Sequence, residues 1–283
     1  MALPRPLLPS KSVIDTLAYF DKYDYPLTEK EVWLWQTGSN FSQKEISAVF
    51  PKSSPGFSPN RVNLFHQREN RSVYSRNKLD YVTPAILLIR RLPFISAVFV
   101  TGALAMSNSP KDDDIDIMVI TRANTLWIVR PLVTLLLKLK GLRRNPNLPE
   151  HSSVRVSDKI CDNLWLDVDH LYLQKQSLYT AHELLQAKCL YDREGTYYRF
   201  IIQNSWAKAF LPVAYTETIK KFKNLKIKKL NENWKFKIEN LFLWLVNSFL
   251  FTAQYLYMRP RLTAEKIGLG YAYFHPQRPQ TKL

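Results

Sequence analysis

Four aspartates, Asp112, Asp113, Asp114 and Asp116, fall within five positions of a chain whose net charge is +16. Asp114 and Asp116 flank a single isoleucine and lead into an apolar run, Ile115 to Thr121. On a strand, residues two apart project from the same face, so this pair sets two carboxylates side by side. Like charges that close are costly unless a cation lies between them. Hard divalent ions such as Mg²⁺ take carboxylate oxygens and keep positions for substrate phosphates. Upstream, the β-rich run Phe94 to Thr101 ends at Gly102-Ala103. A turn of small residues lets the backbone approach a phosphate closely. A helix starting there aims its N–H groups at the anion. Strand, small turn, short helix and Asp-x-Asp strand together make a phosphate-plus-metal site.

The elements that must position these groups read as an α+β core. A helix is expected over residues 79–92, with Pro84 near its start and Pro93 ending it. After the Asp114 strand come an amphipathic helix, Thr125 to Arg144, and a third strand, Lys159 to Leu166. Before this core, residues 12–76 read as three short helices and a hairpin. Two capping boxes, Thr28 with Glu31 and Ser42 with Glu45, open helices. "RVNLF" and "RSVYS" flank the polar "HQREN" as a two-stranded wing. Three helices plus a wing is a winged-helix-like arrangement. Its third helix carries little charge beyond Lys44 and Glu45, poor equipment for reading bases. The wing is more basic, with Arg61, Arg68, Arg71 and Arg76, and suits phosphate contact.

From about Ser177 the periodicity is helical to the C-terminus, with a dense basic stretch from Lys220 to Lys229. The expected organisation is a winged-helix-like domain (1–78), a nucleotide-handling core (79–175) and a C-terminal helical region (176–283). Asn240 to Met258 carries no charge and is near the lower length limit for a membrane helix. Its polar residues recur on one side, which favours a buried or partner-covered amphipathic helix over a membrane span.

Composition bounds the rest. Of 283 residues, 46% are apolar, enough for a substantial core. The basic balance favours anionic partners: nucleotides, nucleic acid or an anionic membrane. Cys161 and Cys189 have neither metal-ligand spacing nor a disulfide framework. The prolines of "MALPRPLLPSKS" interrupt what a signal peptide needs unbroken, so a cytoplasmic location is expected. His182 has no second histidine at metal spacing and reads as structural.

The stretch "GALAMSNSPKDDDIDIMVIT" resembles the signature of the DNA polymerase beta-like nucleotidyltransferase superfamily. That signature is a Gly-Ser or Gly-Gly turn, a spacer of about ten residues, then Asp-apolar-Asp-apolar. The resemblance implies a nucleotidyltransferase-type mixed sheet with helices. It makes Asp114 and Asp116 ligands of two Mg²⁺ ions, and Gly102, Ala103 and Ser107 contacts of a nucleoside triphosphate. Ala103 stands where Ser is usual, which removes a hydroxyl but leaves the backbone N–H. The wider layout, including Leu126, Trp127, Arg130, "TAHELLQ" and "FHP" from Phe274 to Pro276, is similar to a little-characterised bacterial group within the superfamily.

The third carboxylate of such a site is left open by the sequence. Asp162 is the first candidate, Asp167 the second, and Asn163, on the opposite strand face from Asp162, can stand in that place instead. Arg130, one helix away, is a candidate phosphate ligand. The implied reaction is in-line transfer of a nucleoside monophosphate from NTP to an acceptor. The alternative is a catalytically degenerate domain that binds nucleotide or nucleic acid as a regulator.

Overall fold

The computed structural model describes residues 8–53, 59–145, 157–222, 238–262 and 265–274. Among them lie eleven α-helices and a six-stranded open mixed sheet. The N-terminal helices are α1 (Pro9–Asp21), α2 (Glu29–Leu34) and α3 (Gln43–Ser53). Both expected capping boxes form. The Glu31 N–H donates to Thr28 Oγ1 while Thr28 N–H donates to Glu31 Oε2, and Ser42 and Glu45 repeat the exchange. Each satisfies two helix-end donors that would otherwise lack partners. Val13, Phe20, Val32 and Ile46 pack these helices around a small core of their own.

The expected wing is replaced by helix. Pro59–Ile89 is one 31-residue helix, α4. "HQREN" contains no glycine to supply the positive φ of a tight hairpin turn, and every residue in it is compatible with a helix. Val82, Ala85, Ile86 and Ile89, at helical spacing, seal its last turns onto the main core. Pro84 lies inside the helix, near its C-terminal end and on the solvent side, where its missing N–H costs least. The supposed wing arginines have other work. Arg68 forms a 2.5 Å ion pair with Glu31 and lies 4.2 Å from the centre of the Tyr25 ring, while Arg71 donates to Asn108 Oδ1.

The sheet runs β4-β1-β2-β3-β6-β5. Its central strands are β1 (Ile95–Val100), β2 (Ile115–Thr121) and β3 (Ile160–Asp167), within a residue or two of expectation. The four-residue α5 (Gly102–Ala105) follows β1, and α6 (Leu126–Leu139) joins β2 to β3. The β2–β3 pair is parallel, as is an isolated bridge from Arg143 to Ile160, and the other strand pairs are antiparallel. The C-terminal region, expected to be helical, also supplies three strands: β4 (Lys188–Asp192), β5 (Lys266–Gly268) and β6 (Tyr271–Tyr273). Each is short and takes its order from pairing with the sheet rather than from its own periodicity.

Helices cover both faces. On one, Ile115, Ile117 and Val119 meet α4 and α6 through Ile86, Trp127 and Val133. On the other, Met118 and Ile120 meet α7 (Leu178–Gln186) and α8 (Thr196–Gln203) through Leu184 and Phe200. The short helices α9 (Ala207–Phe210) and α10 (Pro212–Lys220) extend this second layer. α11 (Ile238–Met258) lies beside α6 but leaves most of its surface open, so of the two expectations, buried or partner-covered, burial within the chain does not hold. By length and composition, Asn240–Arg261 is long and apolar enough to cross a membrane.

Candidate metal and phosphate site

Strand alternation fixes the acidic pair. Ile115 and Ile117 are fully buried in the first core, so Asp116 projects toward the α7 side with Met118 and Ile120. Asp114 precedes the strand and shares that face. The Thr101 N–H donates to the Asp116 carbonyl at 3.0 Å, which sets the end of β1 beside the carboxylates. The chain then turns at Gly102, whose φ is +62°. A Cβ on Gly102 would lie 2.8 Å from Asp116 Oδ2. Glycine is therefore required twice, for the left-handed backbone and for the carboxylate packed against it.

Across β3, Cys161 is the register partner of Asp116. Ligand atoms of Asp114, Asp116 and Cys161 all lie within 4.8 Å of one another, a group that can hold a metal ion. Asn163 donates from Nδ2 to Asp116 Oδ1 at 2.6 Å. Arg144, just beyond α6, donates to Asp114 Oδ2 at 2.5 Å. Its position is fixed by its backbone N–H, which bonds the Ile160 carbonyl.

The electrostatics show too little positive charge. Burial raises the Asp116 carboxyl well above its ordinary value, and Asp114, Asp113 and Glu183 push it further; Arg144 offsets only part. Asp113 is raised to about 6, first by burial and then by Asp114. Burial and the two neighbouring carboxylates hold the Cys161 thiol well above its usual range. A cation at this point relieves all three. Two adjacent carboxylates fit a hard divalent ion, whereas a thiol is a soft ligand. β3 contributes no third carboxylate here, so the donor set fits one ion better than the two expected.

Asp162, the first candidate for that carboxylate, is turned away. It lies on the opposite face, paired with Arg143 at 3.1 Å, and its Oδ2 has no hydrogen-bond partner among the described residues. Asp167 is at the far end of β3, accepting from the N–H groups of Asn124 and Asp169 and meeting His170 Nδ1 at 2.7 Å. Of the alternatives left open, Asn163 is the residue that reaches Asp116. Arg130 does not belong to the site either. It sits over the Phe274 ring at 4.3 Å and donates to Gln254, on the Asp162 face. Burial lowers its guanidinium to about 10, and Asp162 partly offsets this.

Gly102 and Ala103 open α5, and Ser107, at φ +58°, accepts from Lys188 Nζ at 2.9 Å. Two site residues were missed. In the sequence Arg144 stands out only as the basic end of a helix. Glu183 of α7 accepts the Gly102 N–H, and burial raises its carboxyl to about 7. The sequence held one signal for Glu183, its place in "TAHELLQ". Its neighbour His182 is buried and stacked 4.3 Å from Tyr19, and burial lowers it to about 3, as befits a structural residue.

No family model and no curated protein matches the chain. Among solved structures, a crystal structure of a toxin–antitoxin with AMP-PNP matches at 15% identity. The match covers 50% of this chain and 88% of that one, with a TM-score of 0.24. A likeness of that size carries over neither a fold nor a ligand.

Proposed function

We propose that the chain binds a nucleoside triphosphate with one divalent ion at Asp114 and Asp116. In this reading it is a nucleotidyltransferase of the DNA polymerase beta-like type, with Mg²⁺ as the natural ion. The observation that carries the reading is Gly102: a left-handed glycine whose missing side chain makes room for Asp116 Oδ2. Phosphate donors and carboxylates are thereby held in one place, as the reaction needs. When bound, the ion neutralises charge that develops on the phosphates. The chain's own residues do the positioning. Gly102 and Ala103 offer backbone N–H groups to the triphosphate, and Arg144 balances Asp114. An acceptor oxygen then bonds to the α-phosphorus, the bond to the bridging oxygen breaks, and pyrophosphate leaves with its electrons while the acceptor's proton passes to solvent water.

A second reading, binding without transfer, is favoured by Asn163 and Cys161, which stand where a third carboxylate is expected. It is favoured also by Glu183, whose carboxyl already holds the Gly102 N–H, so the nucleotide must displace it. Calorimetry with each NTP and Mg²⁺ tests binding, and labelled NTP with a cell extract tests transfer. Binding lost in Asp114→Ala supports the site, and binding that persists in Asp114→Ala/Asp116→Ala overturns it. Binding without transfer selects the second reading.

A further inference from the structure

α11 is mounted inside out. Its polar side chains face the protein: Asn247, 1% exposed, accepts the Trp127 N–H at 2.8 Å and donates to the Leu269 carbonyl at 3.2 Å. Seven residues on, Gln254 donates to the Trp127 carbonyl and accepts from Arg130. Leu250, Phe251 and Met258 complete a narrow attachment to the core. Away from this seam, Leu241, Leu245, Phe249 and Leu256 form one stripe, and each is more than half exposed. Neighbouring α6 adds exposed Leu135 and Leu139. Apolar surface on this scale marks a binding face.

We propose that this face lies on an anionic phospholipid bilayer, with α11 in the plane of the headgroups. A transmembrane placement fails on geometry. Mid-helix Asn247 is tied to the β5–β6 turn and to α6, so a spanning α11 would carry the open sheet edge at β5 into hydrocarbon. In the plane, the helix presents about 31 Å of apolar stripe to the acyl boundary and leaves the sheet in water. Charge selects the occupant. α11 carries one acidic residue, Glu239 at its start; Asn240 to Arg261 carries none, and exposed Arg259 and Arg261 follow the helix. The 18 residues of sequence before it, 220–237, hold eight lysines and one glutamate. Basic residues beside an apolar helix face suit anionic lipid. A second copy would bring the same excess of cations, with Glu232 and Glu239 too few to meet them. Trp244 and Tyr257, both exposed near the two ends, are the aromatic types enriched at the headgroup level.

The test is flotation of the full chain, synthesised with vesicles present, using phosphatidylcholine alone or phosphatidylcholine mixed with phosphatidylglycerol. The expected result is flotation with the anionic vesicles, weakened by salt. Leu245→Glu and Phe249→Glu should each cut the bound fraction by about tenfold or more, with the circular dichroism of the protein unchanged. The milder Phe249→Ser gives a second check on the same stripe. Equal flotation of wild type and variants overturns the proposal. So does a wild-type chain that ignores lipid, including one that dimerises through this face and becomes monomeric in Leu245→Glu.

Discussion

The two faces of β3 each hold an acidic group beside an arginine, and they differ in the sum of charge. On the α6 side, one carboxylate, Asp162, has Arg143 in contact and Arg130 near enough to feel it. On the α7 side, Asp113, Asp114, Asp116 and Glu183 face two cations, Arg144 on Asp114 and Lys78 near Asp113. The first face is a finished ion pair that fastens α6 and the segment after it to the sheet. The second is left with unbalanced negative charge beside a glycine turn. Buried like charges are relieved either by protonation or by a cation from outside the chain, so imbalance rather than acidity marks the site.

The largest effect that tests this contrast is on stability, at the balanced face. Asp162→Ala should destabilise the fold by about 3 kcal/mol, because it strands a largely buried arginine. Denaturant unfolding checks this, and divalent binding should stay intact. An Asp162→Ala chain of unchanged stability would erase the distinction between the faces. The matching change on the other face, Asp116→Ala, should act in reverse. Stability should hold or rise as repulsion is relieved, while binding of Mg²⁺ and NTP weakens by about a hundredfold or more, which is about 2.7 kcal/mol. Calorimetry beside the same unfolding measurement separates the two effects.

Glu183 sharpens the comparison through pH. Its carboxyl rises from an ordinary 4.5 to about 7 in the fold. The folded state therefore holds this proton more tightly than the unfolded chain. Its contribution to stability is fully present below about 4.5, declines as pH rises through 7, and is flat above. A shift from 4.5 to about 7 makes the decline about 3 kcal/mol at most. Glu183→Gln should flatten that slope in unfolding measured across this window. It should also tighten NTP binding at high pH, because the Gly102 N–H no longer has an anion to release.

Local features were legible in the sequence and relational ones were not. The capping boxes at Thr28 and Ser42 involve residues three apart, and Asp114-Ile115-Asp116 needs only strand alternation. β1, β2, α6 and β3 followed from periodicity. The wing failed because polar residues between apolar runs fit a long helix as well as a hairpin, and the contacts of Ile86 and Ile89 with the distant core decide between them. β4, β5 and β6 exist because the sheet offers edges, which no short window can reveal. The choice among Asp162, Asn163 and Asp167 depended on cross-strand register. That register shifts between Asp116 and Met118, so β3 spends an extra residue near Asn163. Glu183 arrives from a helix beyond β3, brought in by packing that its own sequence does not announce.

Asn163 offers the finest probe of the unbalanced face. Its amide donates to Asp116 and so covers part of the missing positive charge with a neutral group. Asn163→Asp keeps the shape, removes that donor and adds a third carboxylate. Without a divalent ion the fold should lose stability, because another negative group joins Asp114 and Asp116. With the ion present the loss should be regained, and Mg²⁺ affinity should rise about tenfold, which is 1.4 kcal/mol. Thermal melts with and without Mg²⁺ read both signs in one experiment. If the wild-type chain binds NTP without transferring it, Asn163→Asp is also the single change that should move it toward turnover. An Asn163→Asp chain whose melting ignores Mg²⁺ would show that Asp114 and Asp116 are not an ion site, whatever their charge.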